Sequence, residues 1–142
     1  IEKTMPSPVF LLFDAYGTLV ELNNYYQRLQ NAFAQRGVVL PLDVVTRAAR
    51  REMRHYIVRA GKATNEATCQ SLHRECAQVL CDAAREEGFQ IPLSPDEQDA
   101  VLTEGIVFEP FEETREVLAE LQAREIPMGV LSNWDCKLPQ VL

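Results

Sequence analysis

The first residues with a potential for chemistry stand at the end of an apolar run near the N-terminus. Val9–Phe13 is continuously apolar and is followed at once by Asp14. Such a run is typical of a strand buried on both faces of a parallel sheet, and ligands of these sheets bind at the carboxyl ends of the strands. A carboxylate held there against an electrophile, with competing water excluded, can act as a nucleophile. We therefore predict that Asp14 is the catalytic nucleophile.

A second apolar run, Pro127–Leu131, ends in the same manner, with Ser132 and Asn133. A serine hydroxyl in this position could donate to an oxygen of the substrate or of an intermediate. If both runs are neighbouring parallel strands, Asp14 and Ser132 should lie together at their carboxyl ends. Thr18 is close enough in sequence to Asp14 to hydrogen-bond the carboxylate and fix its orientation.

The chain between these two runs has the periodicity of helices. Ser94-Pro95-Asp96-Glu97 combines a capping serine, a proline in the first turn and a glutamate three residues on, which is the signature of a helix start. Asp43 is the candidate cap of an earlier helix. The predicted helices cover about residues 22–36, 43–60, 66–87, 94–105 and 112–124. The last of them precedes the second strand as the helix of a βαβ crossover does.

The composition excludes several classes of function. The formal net charge is −7, which argues against general nucleic-acid binding. No apolar run approaches the roughly 20 residues that cross a bilayer, so we expect no membrane association. The four cysteines lack the spacing of a zinc site. Without a secretion signal we expect free thiols and a reducing, cytoplasmic location.

Two motifs resemble those of the haloacid-dehalogenase-like (HAD-like) hydrolase superfamily. Phe13-Asp14-Ala15-Tyr16-Gly17-Thr18-Leu19 resembles the first motif of that superfamily, whose usual form is D-x-D-G-T-L, and Leu131-Ser132-Asn133 resembles the second. The helical segment between them resembles the helical cap of the family. The resemblance implies an aspartyl nucleophile at Asp14, with Thr18, Ser132 and Asn133 as further catalytic residues.

Tyr16 departs from the commonest family pattern. Phosphatases of the superfamily carry Asp at this position, as the acid that protonates a leaving alkoxide. A phenol, with a usual pKa of about 10, is a poor proton donor at neutral pH. A halide needs no proton, and D-A-Y-G-T resembles 2-haloacid dehalogenases. Ser132-Asn133-Trp134-Asp135 instead resembles HAD-like proteins often labelled phosphatases, so phosphoester hydrolysis is the favoured interpretation and dehalogenation the alternative.

The resemblance also implies ligands for the substrate and for a metal. Tyr16, Gly17, Tyr25 and Arg50 are the candidate contacts to a small anionic substrate. Arg50 belongs to an arginine-rich stretch of which one or two members could attract an anion, although a solvated helix face is the favoured interpretation of the stretch. A phosphatase would use Mg²⁺, held by the Asp14 carboxylate and the Tyr16 carbonyl, whereas a dehalogenase would need no metal.

The predicted fold is therefore α/β, a Rossmann-like HAD core with an all-helical cap inserted after the first strand. We assign residues 1–20 and 106–142 to the core and residues 21–105 to the cap. The third and fourth family motifs are not found, so the C-terminal half of the core is expected to be absent and this chain alone to be inactive. A partner segment or self-association could complete the sheet. A non-catalytic pseudoenzyme or binding module is the remaining alternative.

Overall fold

The structure is a computed structural model that describes residues 9–142. The chain divides into two compact units, which we describe separately. The first contains the chain up to Glu21 together with Phe108–Ser132, and the second contains Leu22–Val107 together with Asn133–Leu142. The first unit carries the small parallel sheet and the second is helical. In residues 9–142, no helix combines the length and the apolar character that crossing a bilayer requires.

The first unit is built on two parallel strands, as the two apolar runs predicted. Strand β1 (Leu11–Phe13) pairs with β4 (Met128–Val130), so that Phe13 lies opposite Val130. Helix α5 (Thr114–Ala123) precedes β4 and supplies the crossover. Beyond the pair, the Leu131 N–H donates to the Phe13 carbonyl at 2.9 Å. The ladder thus continues to the residues that precede Asp14 and Ser132.

A second strand pair was not predicted. Strand β2 (Val20–Leu22) pairs with β3 (Phe108–Pro110) in a separate two-stranded sheet. Next to it, the Phe111 N–H donates to the Leu19 carbonyl at 3.2 Å. Each strand has three residues, which is too short for an alternating pattern to appear in the sequence. The assignment of Leu22 to the first helix was therefore wrong.

The prediction that both apolar runs are buried on both faces was also wrong. Leu12 in β1 is 61% exposed and Leu131 after β4 is 71% exposed, while Val9 and Phe10 are each 58% exposed. Burial on both faces needs layers of helix above and below a sheet. Among the described residues, this unit has one helix, α5, which is too little to cover these side chains.

The second unit is an assembly of helices around one apolar core. Helices α2 and α3, α3 and α4, and α1 and α4 pack against each other. The helices are α1 (Tyr25–Gln35), α2 (Leu42–Arg59), α3 (Glu66–Glu86) and α4 (Pro95–Gly105), with a short 3-10 turn at Ala60–Lys62. The largest fully buried side chains include Phe33, Leu29, Leu80, Leu102, Val45 and Val101. The prediction of a helical segment here is confirmed.

Of the two helix caps predicted from the sequence, the one at Ser94 is found in the structure and the one at Asp43 is not. The Ser94 hydroxyl accepts from the Glu97 N–H and the Glu97 carboxylate accepts from the Ser94 N–H, at 3.3 and 2.8 Å, so the predicted capping box is confirmed. Asp43 is not the cap of α2, because the helix begins one residue earlier, at Leu42. Asp43 instead lies in the first turn and forms an ion pair with Arg47 at 2.9 Å.

Gly105 is the closest packing point between α4 and α1, and its replacement should be costly. A Cβ atom there would lie 2.8 Å from Leu29 Cγ and closer still to Leu29 Cδ2. Leu29 is fully buried in the core, so a shift of its side chain would disturb the packing of its neighbours. We expect Gly105→Ala to lower the free energy of unfolding by about 1–3 kcal/mol, the usual cost of overpacking. Urea unfolding of the purified variant measures this.

Gly61→Ala is the matched control, because a Cβ at Gly61 meets no atom within 4 Å. It should leave stability within about 1 kcal/mol of the wild type. Combining Gly105→Ala with Leu29→Ala should cost less than the sum of the two single changes, since the smaller side chain removes the clash. Strict additivity would show that the two residues do not compete for the same space.

The cysteines differ from the expected free thiols. Cys69 at the start of α3 and Cys136 form a disulfide, whereas Cys76 and Cys81 are free and buried. The two bonded residues are 67 positions apart, and only the folded chain brings such residues together. Residues 133–142, predicted to belong to the core, thus pack with the helical unit and end in the short helix α6 (Leu138–Val141).

Candidate active site

A tight turn after β1 positions Asp14. The Ala15 carbonyl accepts hydrogen bonds from the N–H groups of Leu19 and Val20 at 2.8 and 3.0 Å, and Ala15 is fully buried. Gly17 has a φ of +79°, a left-handed conformation that residues with a Cβ rarely adopt, and its N–H donates to Val20 O at 2.8 Å. The turn therefore fixes the backbone on the C-terminal side of Asp14.

The Asp14 carboxylate is held by two donors on the same oxygen. The Ser132 hydroxyl lies 2.6 Å from Asp14 Oδ1, and the Ala15 N–H donates to that atom at 2.8 Å. The predicted proximity of Asp14 and Ser132 is confirmed, since both follow paired parallel strands. Among residues 9–142 no hydrogen bond to Oδ2 is found. One oxygen is thus fixed by donors, and the other remains available to a ligand.

Thr18 does not orient the carboxylate as predicted. It is exposed, and its N–H donates to the Ala15 carbonyl at 3.3 Å. The Ala15 N–H donates to the Asp14 carboxylate and orients it instead. Sequence reasoning missed this donor because every non-proline residue carries an N–H group, and only the turn geometry shows which one faces the carboxylate. Tyr16 forms an isolated backbone bridge to Val20 and is 45% exposed.

The remaining candidates lie in the helical unit. Asn133 is exposed at the start of the terminal segment. Arg50 is exposed on α2. Tyr25 is 6% exposed, and its hydroxyl donates to Glu52 at 2.8 Å. Because its hydroxyl already has a buried partner, Tyr25 is a core residue of the helical unit.

Two arginines of the arginine-rich stretch of α2 form ion pairs on the surface. Arg47 forms ion pairs with Glu87 at 2.5 Å and Asp43 at 2.9 Å, and Arg51 pairs with Glu86. The pairs with Glu86 and Glu87 join α2 to the end of α3. They support the interpretation of a solvated helix face. A surface hollow of about 360 Å³ lies between the same helices, lined by Arg51, Arg54, His55, Val79, Asp82 and Glu86.

A buried carboxyl group in this unit was not predicted. Glu52 is 4% exposed and accepts from the Tyr25 hydroxyl, and the Cys76 side chain also hydrogen-bonds it. Burial raises the pKa of Glu52, against the lowering effect of these hydrogen bonds. Burial and the Glu52 carboxylate likewise raise the pKa of Tyr25 and of Cys76, so both remain protonated donors.

Glu52 should make the stability of the protein depend on pH. At a pH below the usual carboxyl pKa of 4.5, Glu52 is neutral in both the folded and the unfolded state, and folding is not opposed. As the pH rises from 4.5 through the raised pKa, the unfolded chain ionises more readily and stability is lost. Glu52→Gln removes this loss, so we expect the stability of the variant relative to the wild type to increase from pH 4.5 to pH 8. Urea midpoints across that range measure it.

Asp96→Asn is the matched control, because Asp96 is an exposed carboxylate at the start of α4. This variant should follow the pH dependence of the wild type. Parallel curves for Glu52→Gln and wild type would contradict a raised pKa at Glu52. The amide oxygen of glutamine can still accept from Tyr25, so the change tests the charge more than the hydrogen bond.

The described residues supply few ligands for a metal. No group of three or more His, Cys, Asp or Glu side chains in residues 9–142 is arranged to hold an ion. Asp14 and the Tyr16 carbonyl could offer two oxygens, while Mg²⁺ prefers six in octahedral arrangement and often completes them with water and substrate phosphate. Residues 9–142 by themselves therefore do not complete a metal site.

The fold is of the α/β class, mostly helical with a small parallel sheet. A crystal structure described as that of a dehalogenase shares it, with a TM-score of 0.57 and 17% sequence identity. The match covers 96% of this chain and 56% of the dehalogenase, so the chain spans just over half the length of that protein. No protein-family profile and no curated protein matches the sequence. The likeness is one of fold alone, and it is consistent with a HAD-like fold.

Proposed function

We propose that the intact protein is a HAD-like hydrolase that acts on a small anionic substrate through a covalent intermediate on Asp14. The observation that carries the proposal is the 2.6 Å hydrogen bond from Ser132 to Asp14 Oδ1 at the ends of two paired parallel strands. It joins two residues that are 118 positions apart and that two separate motifs single out. If Asp14 only capped the turn after β1, it would not need a hydrogen bond from a residue at the end of β4.

The carboxylate geometry suits a nucleophile. Donors from Ala15 and Ser132 hold Oδ1, which leaves the lone pair of Oδ2 to attack the electrophilic atom of the substrate. The bond to the leaving group breaks, and the leaving group departs with the bonding electrons. Water then attacks the covalent intermediate, which is an acyl phosphate of Asp14 for a phosphoester and an ester for a 2-haloacid, and this releases the product and a proton and restores the carboxylate. The same two donors fix the nucleophile in both steps, which lowers the entropic cost of each.

A phosphoester is the favoured substrate class, and a 2-haloacid is the alternative. The sequence Ser132-Asn133-Trp134-Asp135 supports the first, while Tyr16 in place of an acid and the name of the structural neighbour support the second. Mg²⁺ is proposed only for the phosphoester case, in which Asp14 and the Tyr16 carbonyl would hold it and it would neutralise phosphate charge. A binding module without turnover is the third candidate.

Hydrolysis in ¹⁸O-labelled water distinguishes the two chemistries and, for a 2-haloacid, also tests the intermediate on Asp14. The purified protein is given p-nitrophenyl phosphate or 2-chloropropionate, with Mg²⁺ or with EDTA. Water that attacks phosphorus leaves its oxygen on phosphate, and water that attacks the Asp14 carbonyl carbon leaves it on the protein, where peptide mass analysis detects it. We expect labelled phosphate and loss of turnover with EDTA. Chloride release that is insensitive to EDTA, with label on Asp14, would establish the alternative, and no turnover of either substrate by the intact protein would favour the binding module.

A further inference from the structure

The segment that continues from Ser132 is attached to the helical unit by one disulfide bond and by non-covalent contacts. Residues 133–142 contain Cys136, whose disulfide to Cys69 joins the segment to the start of α3. Cys69 is 3% exposed, whereas Cys136 is half-buried. Cys136 is thus the more accessible of the two residues to a small thiol.

The non-covalent contacts of the segment are weak by comparison. The Cys136 N–H donates to the Ala63 carbonyl at 3.1 Å, and the Tyr56 hydroxyl donates to Asp135 at 3.2 Å. Lys137 and Glu66 are 3.7 Å apart, with side chains 40% and 76% exposed, and exposed ion pairs of this kind contribute little. Helix α6 has four residues, none of them buried. The disulfide is the covalent cross-link that joins the segment to α3, and it limits how far the segment can move from that helix.

We propose that the Cys69–Cys136 disulfide is a reducible latch that controls the order of residues 133–142. Because Asn133 is bonded to Ser132, the latch also controls how firmly Ser132 is held against Asp14, a consequence that rests on the proposed function. The oxidised protein is the ordered, more active form. The reduced protein keeps its helical core, since that core is held together by buried apolar side chains of α1 to α4.

The redox step balances with a small dithiol as the reductant. Its thiolate attacks the Cys136 sulfur, the disulfide bond breaks, and the Cys69 sulfur leaves as a thiolate that takes up a proton. The second thiol of the reagent then attacks the mixed disulfide, releases Cys136 as a thiol and closes the reagent into its own disulfide. The protein gains two electrons and two protons, and the dithiol loses them.

Thiol counting and hydrogen exchange test the latch without reference to turnover. Under denaturing conditions without reductant, two of the four cysteines should react with a maleimide, and all four should react after dithiothreitol. Amide exchange of residues 133–142 should be at least about tenfold faster in reduced protein and in Cys136→Ser than in oxidised protein. Cys81→Ser is the matched control and should exchange in this segment like the wild type.

The disulfide, its effect on the order of residues 133–142 and its effect on Ser132 can each be excluded by a separate result. Four reactive thiols without reductant would exclude the disulfide. Equal exchange of residues 133–142 in oxidised protein and Cys136→Ser would show that the disulfide does not order the segment. Equal turnover of oxidised and reduced protein, together with changed exchange, would remove the control over Ser132. Failure of the proposed function would appear as absence of turnover in every form, while exchange would still report on the latch.

Discussion

Asp14→Asn is expected to lower turnover of any hydrolysed substrate by at least about 10³-fold, since the amide cannot form the covalent ester. Asparagine has nearly the same shape as aspartate, and its carbonyl oxygen can still accept from Ser132 and from the Ala15 N–H. The local fold should therefore persist while the nucleophile is lost. Steady-state rates with the best substrate from the ¹⁸O experiment, compared at equal protein concentration, measure the effect.

Glu112→Gln is the matched control for Asp14→Asn, because Glu112 is an exposed carboxylate of the same unit. It should leave turnover within about twofold of the wild type, as surface substitutions away from a site usually have small effects. Urea unfolding should give similar midpoints for wild type and Asp14→Asn. Retention of more than a tenth of the activity by Asp14→Asn would exclude a covalent intermediate on this residue.

The second large effect is expected at Tyr16. If the protein is a phosphatase without its usual acid, p-nitrophenyl phosphate should be hydrolysed far faster than an alkyl phosphate, because nitrophenolate can leave without a proton. A general acid contributes about 10²–10⁴-fold, so Tyr16→Asp should raise alkyl phosphate turnover by about 10²-fold while p-nitrophenyl phosphate changes little. The ratio of kcat/KM for the two esters is the measurement.

Tyr16→Phe separates the acid from the shape of the side chain. A phenol that transfers no proton can be removed with a loss of less than about threefold in either rate, since only a hydrogen bond is changed. If Tyr16→Phe slows alkyl phosphate turnover as strongly as Tyr16→Asp raises it, the phenol is itself the acid and the sequence interpretation fails. In a dehalogenase, Tyr16→Asp should give no gain, because a halide leaves unprotonated.

Local sequence patterns determined the strand ends and most helices of this protein. The apolar runs that end at Asp14 and Ser132 predicted two paired parallel strands, because polar groups that bind ligands follow the carboxyl ends of the strands in such sheets. The capping box at Ser94 fixed the start of α4, since its hydrogen bonds join residues three apart. Information of this kind is contained in a few neighbouring residues and does not require the tertiary fold.

Interactions between residues far apart in the chain could not be predicted from local patterns and depend on the three-dimensional fold. The strands β2 and β3 are too short to have a sequence pattern, and they form because their partners are brought together by the rest of the chain. The Cys69–Cys136 disulfide and the burial of Tyr25 against Glu52 likewise join residues 67 and 27 positions apart. Residue types and their spacing indicated which side chains could act as nucleophile and donor. The fold decided that Ala15 and Ser132, and not Thr18, hold the Asp14 carboxylate, because a hydrogen bond depends on distance and direction that residue types do not specify.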